Sequence, residues 1–217
     1  MSSIGKKALM AASGLVLVGF VIAHLAGNLL IFAGPDALNG YAKKAEGLGV
    51  WLWVVRGGLL AAVAVHIWTS VQLSLENRRA RARPYACFRT VETTLAARTM
   101  MATGLLLLAY LVYHLLHFTF RVTNPDISRG MDPLGRRDVY TMVVLSFRQP
   151  FISLAYIAGM AVLCLHLGHG IASSVQTLGL NNERTIPVVA RIGQAVALVI
   201  FAGYISIPLA VLFGVVR

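Results

Sequence analysis

Residues 8–33 read ALMAASGLVLVGFVIAHLAGNLLIFA, a run of apolar and small side chains without one Lys, Arg, Asp or Glu. At the helical rise of about 1.5 Å per residue, about 20 such residues cross the roughly 30 Å hydrocarbon core of a bilayer. Lys6 and Lys7 precede the run as basic residues precede a signal peptide, but the run is too long for one and contains His24 and Asn28. The stretch therefore predicts a membrane-spanning helix that is retained.

Four further segments along the chain have the same length and character. They are residues 51–75, 95–120, 150–176 and 188–216. The composition agrees, because 58% of the 217 residues are hydrophobic and only 12% are charged, whereas an ordinary soluble chain is about 45–50% apolar and about 25% charged. A soluble globule is excluded. We expect an all-α fold, with a single transmembrane domain over residues 1–217 built as a bundle of five spanning helices.

The net charge of +11 would indicate nucleic-acid binding if the basic residues formed a patch on a soluble domain. They lie instead between the apolar segments, so we expect them to flank membrane lipid and expect no nucleic-acid partner. The connection over residues 76–89, ENRRARARPYACFR, holds five arginines, which favours a cytoplasmic position for it. This orientation predicts a multi-pass protein of a bacterial or archaeal cytoplasmic (inner) membrane, with its N-terminus in the cytoplasm.

The two cysteines indicate no site of their own. Cys87 lies in the basic connection and Cys164 in an apolar segment, so neither a disulfide framework nor a thiolate metal site is predicted. The sequence contains no C-x-x-C-H, which excludes covalent attachment of a c-type haem.

The histidines carry the candidate chemistry. All six lie in the apolar segments: His24 in the first, His66 in the second, His114 and His117 in the third, and His166 and His169 in the fourth. Ionisable residues inside a membrane are costly and mark functional sites by default. Counting along helices that alternate in direction places four of the histidines at two depths. We expect His24 with His114 near the outer face, and His66 with His166 near the cytoplasmic face.

Two histidines at one depth on neighbouring helices can bind one flat metal macrocycle from both sides through neutral imidazole nitrogens. The two layers therefore predict two haems b. His24 and His114 would be the axial ligands of the outer haem iron, and His66 and His166 those of the inner haem iron. The pattern has two other interpretations, in which the histidines hydrogen-bond to neighbouring helices or form a proton relay.

An internal repeat lies on the first and third segments. The two copies are Ser13-Gly14 before His24 and Thr103-Gly104 before His114, and each hydroxyl residue lies 11 positions before its histidine. Eleven residues at about 100° per residue leave about 20° between the two side chains, which therefore share a helix face about three turns apart. We expect both copies at the level of the inner haem, where a small side chain lets a porphyrin approach. The alternative is that the glycines only allow close helix packing.

Each H-x-x-H segment leaves a second histidine. His117 lies one turn further out than His114, and His169 lies closer to the cytoplasmic end than His66. We expect His117 and His169 to bond haem propionates, water or backbone rather than iron, although the spacing alone leaves open which member of each segment binds. Basic residues near the membrane ends could neutralise propionates, or could only flank the membrane and snorkel. They are Arg56 and Lys43 on the outer side, and Arg98 and Arg191 on the inner side.

Three stretches together resemble the membrane subunit of succinate dehydrogenases and fumarate reductases, the diheme cytochrome b anchor of the succinate:quinone oxidoreductase family. They are HLAGNLLIFAGPDALNGYA from His24, the T-G-x9-H segment that ends in YHLLHF, and HLGHGIASSVQTLGLNN from His166. The resemblance implies a five-helix anchor with two haems b, docked to an iron–sulfur subunit and through it to an FAD-bearing flavoprotein subunit. It also implies a quinone substrate, usually menaquinone, and matches His24, His66, His114 and His166 to the family's four axial ligands.

Quinone chemistry moves two protons with two electrons, so it needs a hydrogen-bonding or titratable group near one haem. In the first outer loop the best-placed candidates are Asp36, Tyr41 and Glu46, although each could be only a solvated loop residue. A quinone site on the inner side of the membrane, near Ser13 and Arg98, is the alternative.

On this interpretation the chain is the electron-transfer and quinone-reactive subunit of an enzyme complex and has no catalytic side chain of its own. The connection over residues 78–89 could dock the iron–sulfur subunit, or could serve only for orientation and contact with lipid phosphate. One alternative is the cytochrome b subunit of a hydrogenase or of another quinone-linked dehydrogenase, such as formate dehydrogenase. The other is a haem-free transporter or proton channel with a histidine relay.

Overall fold

The computed structural model describes residues 1–80 and 95–217, and this part of the chain is helical apart from turns and one isolated β-bridge. Within it, five long helices and three short ones follow one another. In chain order they are α1 (Ser3–Asn28), α2 (Pro35–Glu46), α3 (Val50–Arg79), α4 (Leu95–His114), α5 (Pro125–Ser128), α6 (Val139–Phe147), α7 (Pro150–Thr177) and α8 (Ile186–Leu212).

All five predicted spans are confirmed as helices long and apolar enough to cross a membrane, within the residues that the structure describes. Two of them end in irregular turns that the sequence did not predict. A 3-10 turn over Leu29–Ala33 continues α1, and a π-helical turn over Leu115–Thr119 continues α4. The last span ends at Leu212 rather than at residue 216, because Gly214 turns the chain with φ +70°. The fold is that of a multi-pass membrane protein.

Proline and glycine fix where several helices begin. Pro35, Pro125 and Pro150 lie at helix starts, where the missing N–H costs no helical hydrogen bond. Gly34 precedes Pro35 with φ +95°, a conformation that glycine adopts without steric cost. The chain therefore turns sharply after the 3-10 turn, and α2 packs against α6 across one end of the bundle.

The long helices pack closely against their neighbours but not across the diagonals of the bundle, within the described residues. α1 packs against α3 and α7, and α7 packs against α4 and α8. Over the described residues, α1 does not pack closely against α4, nor does α3 pack closely against α7 or α4. We call the end at which α1 begins the N-terminal end, and the opposite end, which carries α2 and α6, the far end. A group held between α1 and α4 or between α3 and α7 would displace no close helix contact.

Buried apolar side chains form two clusters. The first lies at the far end and includes Ile31, Leu38, Val144 and Phe147. The second joins α7 to α8 through Leu167, Ala197 and Ile200. Large apolar side chains are exposed along the long helices, among them Trp53, Leu60, Leu105, Leu198 and Val199. Such a surface fits contact with lipid chains rather than water.

Candidate functional site

His66 on α3 and His166 on α7 lie side by side toward the N-terminal end of the bundle. Their ring centres are 6.4 Å apart and their ring planes are inclined by 71°. We call these two residues the inner pair. The structure thus brings together the two histidines that the sequence placed at the cytoplasmic depth.

Hydrogen bonds hold both rings of the inner pair by Nδ1. His66 Nδ1 lies 3.1 Å from the Met10 carbonyl oxygen and 3.4 Å from Ser13 Oγ. His166 Nδ1 lies 3.1 Å from Thr103 Oγ1. The Met10 carbonyl can only accept, so the bond to it requires a proton on His66 Nδ1. A neutral His66 then keeps its lone pair on Nε2, which is the form that binds a metal.

The glycines of the sequence repeat converge on the inner pair. A Cβ added to Gly14 would lie 3.2 Å from His66 Cε1, and one added to Gly104 would lie 3.5 Å from His166 Cε1. The first distance is shorter than an ordinary van der Waals contact. An alanine at position 14 would therefore force the His66 ring to shift by a few tenths of an ångström. The repeat therefore lies at the inner level, where the sequence predicted it.

His24 on α1 and His114 on α4 form a second pair toward the far end, the outer pair. Their ring centres are 5.9 Å apart and their planes are inclined by 85°. His24 stacks on Phe20 at 5.3 Å, and His114 stacks on Tyr110 at 6.1 Å. His114 Nδ1 is buried and has no hydrogen-bond partner among the described residues. Aromatic rings, rather than hydrogen bonds, surround the His114 imidazole.

Both pairs have the spacing that a metal between two imidazoles requires. Two metal–nitrogen bonds of about 2.0–2.1 Å, with about 1.1 Å from each nitrogen to its ring centre, put the ring centres about 6.3 Å apart. The observed separations are 5.9 and 6.4 Å. Within residues 1–80 and 95–217, no group of three or more His, Cys, Asp or Glu side chains converges. What the described residues offer a metal is two neighbouring imidazoles at each level, a donor type that fits the axial positions of a haem.

The second histidine of each H-x-x-H segment has different surroundings. His117 lies in the π-helical turn after α4 and is only 1% exposed. Its Nδ1 lies 3.0 Å from Tyr156 Oη, whereas its Nε2 is buried with no partner in the described part of the chain. No sequence pattern marked Tyr156 as a partner of His117. His169 is partly buried one turn after His166, so the paired histidines are the two that the sequence favoured, His114 and His166.

Two of the three quinone-site candidates form ion pairs at the far end. Asp36 Oδ1 lies 2.6 Å from Arg136 Nη2, and Glu46 Oε1 lies 3.2 Å from Arg137 Nη1. Both arginines belong to the connection between α5 and α6. The carboxylates of Asp36 and Glu46 therefore link α2 to that connection.

Tyr41, the third candidate, lines a cavity beside the outer pair. The cavity measures about 160 Å³, and its polar lining comes from Tyr41, His24 and Asn28. A Cβ added to Gly27 would lie 2.7 Å from Tyr41 Cε1, closer than real Cβ contacts come. The Tyr41 ring can therefore occupy this position only because residue 27 is glycine.

A buried polar network, which the sequence did not predict, fixes α2 over that cavity. Asn39 is buried, and it donates to Asp132 Oδ2 at 3.3 Å and accepts from the Tyr140 N–H at 2.9 Å. Arg136 Nε donates to Asp132 at 2.6 Å. Burial alone would raise the pKa of Asp132, but the hydrogen bonds from Arg136 and Asn39 outweigh burial and hold the pKa below its usual range.

The basic residues proposed for propionates are exposed. They are Lys43, Arg56, Arg98 and Arg191. The Arg56 guanidinium lies over the Trp53 ring at 5.0 Å from its centre. Exposure at the helix ends fits the flanking interpretation of these charges.

The chain matches no known protein family, no curated protein and no solved structure. Two levels each present a pair of imidazoles across a diagonal of the bundle, and the far level adjoins a cavity with a phenol and an amide on its wall.

Proposed function

We propose that this chain is the diheme cytochrome b subunit that anchors a succinate dehydrogenase or fumarate reductase in the membrane. It would carry electrons between an iron–sulfur subunit and a membrane quinone, with menaquinone as the first candidate. The observation that carries the proposal is the presence of two histidine pairs at metal-bridging distance, 5.9 and 6.4 Å between ring centres, at two levels of one helix bundle.

The residues around the inner pair support haem as the bound group. When bound, haem supplies a reversible one-electron oxidation and reduction. The imidazoles of His66 and His166 are held by Nδ1, which leaves Nε2 for the iron. A Cβ at Gly14 or Gly104 would lie 3.2 or 3.5 Å from these rings, so glycine leaves them more room than any other residue would. The apolar spans exclude water, which lowers the dielectric around the site.

The separation of the two levels supports electron transfer along the bundle. Ser13 lies beside His66, and on the same helix His24 belongs to the outer pair. The two residues are 11 positions apart, which corresponds to about 16 Å along α1. Thr103 and His114 give the same spacing on α4. Two haems at this separation would divide electron transfer across the membrane into shorter steps.

The cavity at the far end supports a quinone site beside the outer pair. A quinone head group carries two carbonyl oxygens, and the Tyr41 hydroxyl and the Asn28 amide can both donate hydrogen bonds. Tyr41 is therefore the leading quinone contact, while Asp36 and Glu46 serve the ion pairs described above.

We place the docking surface for the partner subunits at the N-terminal end of the bundle. The complex would include an iron–sulfur subunit and a flavoprotein subunit that carries FAD. Residues 78–89 are the proposed docking segment. Residues 81–89 of this segment, including Cys87, lie outside the described residues.

The test is a reduced-minus-oxidised visible spectrum, with haem quantitation, of the full chain purified with its partners. We expect two b haems per chain. Replacing His24 or His114 by Ala should remove one of them, and replacing His66 or His166 should remove the other. His169→Ala is the matched control, because it removes a histidine from the same helix as His166 and should leave both haems.

Other results would redirect the proposal in defined ways. One haem per chain would mean that one pair is misassigned, and loss of a haem from His169→Ala but not from His166→Ala would exchange those two roles. A folded sample without haem would overturn the proposal in favour of a histidine relay. Two haems that succinate fails to reduce and that fumarate fails to oxidise in the assembled complex would favour another quinone-linked dehydrogenase or a hydrogenase.

A further inference from the structure

The two histidine pairs differ in how their Nδ1 atoms are bonded. In the inner pair, His66 Nδ1 lies near the Met10 carbonyl and Ser13 Oγ, and His166 Nδ1 lies near Thr103 Oγ1. In the outer pair, His114 Nδ1 has no partner among the described residues. The inner imidazoles are therefore held in place, while His114 depends on packing.

The direction of the Thr103 hydrogen bond follows from the other neighbours of its hydroxyl group. Thr103 Oγ1 lies 3.0 Å from the Thr99 carbonyl oxygen and 3.1 Å from that of Met100. Carbonyl oxygens only accept, so the hydroxyl proton points to one of them. The Thr103 oxygen then accepts from His166 Nδ1–H. Ser13 has the same arrangement, because its hydroxyl donates to the Leu9 carbonyl at 2.7 Å.

We infer that Thr103 and Ser13 are positioning residues that hold His166 and His66 in the Nδ1–H tautomer. This tautomer leaves both Nε2 lone pairs of the inner pair ready for one metal. The inference rests on the proposed function for the identity of that metal group, haem iron. The hydroxyl groups come from α1 and α4, whose own histidines form the outer pair, so each of these helices acts at both levels.

The two hydroxyl groups should differ in their effect. Loss of a partner that bonds a metal-ligating histidine typically weakens metal binding by about 10–100-fold. Thr103→Val removes the partner seen at His166, so we expect the inner haem to dissociate about 10–100-fold faster. Ser13→Ala should act less, because the Met10 carbonyl still lies 3.1 Å from His66 Nδ1. Because the N–H···O bond makes the imidazole a stronger donor to the oxidised iron, Thr103→Val should also raise the reduction potential of the inner haem.

The experiment uses the full chain with His114→Ala, so that only the inner haem is observed. Haem transfer to added apomyoglobin gives the dissociation rate, and a potentiometric titration gives the reduction potential. Thr103→Ser is the conservative variant and should restore both values. Ser206→Ala is the matched control, because the Ser206 hydroxyl lies on α8 and donates to the Gly203 carbonyl of its own helix at 2.7 Å.

A second measurement reads the tautomer without haem. In ¹⁵N spectra of the histidine-labelled full chain, His166 should be protonated at Nδ1, and Thr103→Val should shift it toward the Nε2–H form. The inference is overturned if His166 carries its proton on Nε2, or if Thr103→Val releases haem no faster than Ser206→Ala. If the parent chain binds no haem but has the Nδ1–H tautomer, the proposed function fails while the positioning role stands.

Discussion

Gly159→Ala should disturb the outer pair through one added methyl group. Gly159 lies on α7 opposite Tyr110 of α4, and a Cβ at this position would lie 2.4 Å from Tyr110 Cδ2 and 2.6 Å from Cε2. Tyr110 stacks on His114 at 6.1 Å and meets Tyr156 edge-on at 5.5 Å. The Tyr110 ring must therefore move, and it cannot move without changing the surroundings of His114.

The size of the effect follows from the closeness of the added atom. Forcing an extra methyl group into a packed site typically costs about 1–3 kcal/mol. The upper part of this range applies here, because a carbon 2.4 Å from a ring carbon lies far inside the roughly 3.5–4.0 Å optimum for such contacts. For a chain of this size each kcal/mol lowers the thermal midpoint by about 2–4 °C, so a cost of about 2–3 kcal/mol corresponds to an expected loss of about 4–12 °C.

The assay is thermal unfolding of the purified chain, followed together with the visible spectrum of each of the two proposed haems. Gly58→Ala is the matched control, because Gly58 lies in the span α3 and its added Cβ would meet nothing within 4 Å. We expect Gly159→Ala to be less stable than the control and to alter the outer haem signal while leaving the inner one. Equal midpoints for the two variants, or a change confined to the inner haem, would refute the packing argument.

Two further predictions concern the far end. Gly27→Ala should lower quinone-dependent reduction of the haems without changing haem content, because the added Cβ would lie 2.7 Å from Tyr41 Cε1 and would push the ring from its cavity; unchanged quinone kinetics would remove Tyr41 from the quinone site. The lowered pKa of Asp132 predicts a stabilisation that is present above about pH 4 and is lost as the pH falls through the folded-state pKa. Thermal midpoints of Asp132→Asn should therefore fall less steeply below about pH 4 than those of the parent, and parallel curves would show that the Asp132 network does not stabilise the fold.

The depths of the histidines could be predicted from the sequence because helical rise is nearly constant. Counting from the membrane ends was enough to place His24 with His114 and His66 with His166, and the structure brings these partners within 5.9 and 6.4 Å. The lateral arrangement of the helices could not be predicted by such counting. Which helices lie on a diagonal depends on packing among all the spans, and no local pattern encodes it.

The environment of His117 shows where counting fails. A regular helix would carry His117 one turn beyond His114 on nearly the same face, but α4 changes to a π-helical turn at Leu115. His117 lies within this turn, and its Nδ1 lies 3.0 Å from Tyr156 Oη, a partner 39 residues further along the chain that counting along one helix cannot identify. The polar network of Asn39 was equally hidden, since its partners lie about 100 residues away in a connection that carries no periodic pattern.

The sequence placed both copies of the internal repeat at the inner level, about three turns from the histidine that follows on the same helix. It did not show which histidine each copy meets there. In the structure, the Ser13 copy lies beside His66 of α3 and the Thr103 copy lies beside His166 of α7. Residues 11 positions apart face the same side of a helix about 16 Å apart, so one helix face supplies a histidine at one level and a hydroxyl group at the other. A substitution of Ser13 on α1 or of Thr103 on α4 should therefore act on the inner pair, to which neither helix contributes a histidine. Histidines that were buried independently of one another would not show such an effect between the two levels.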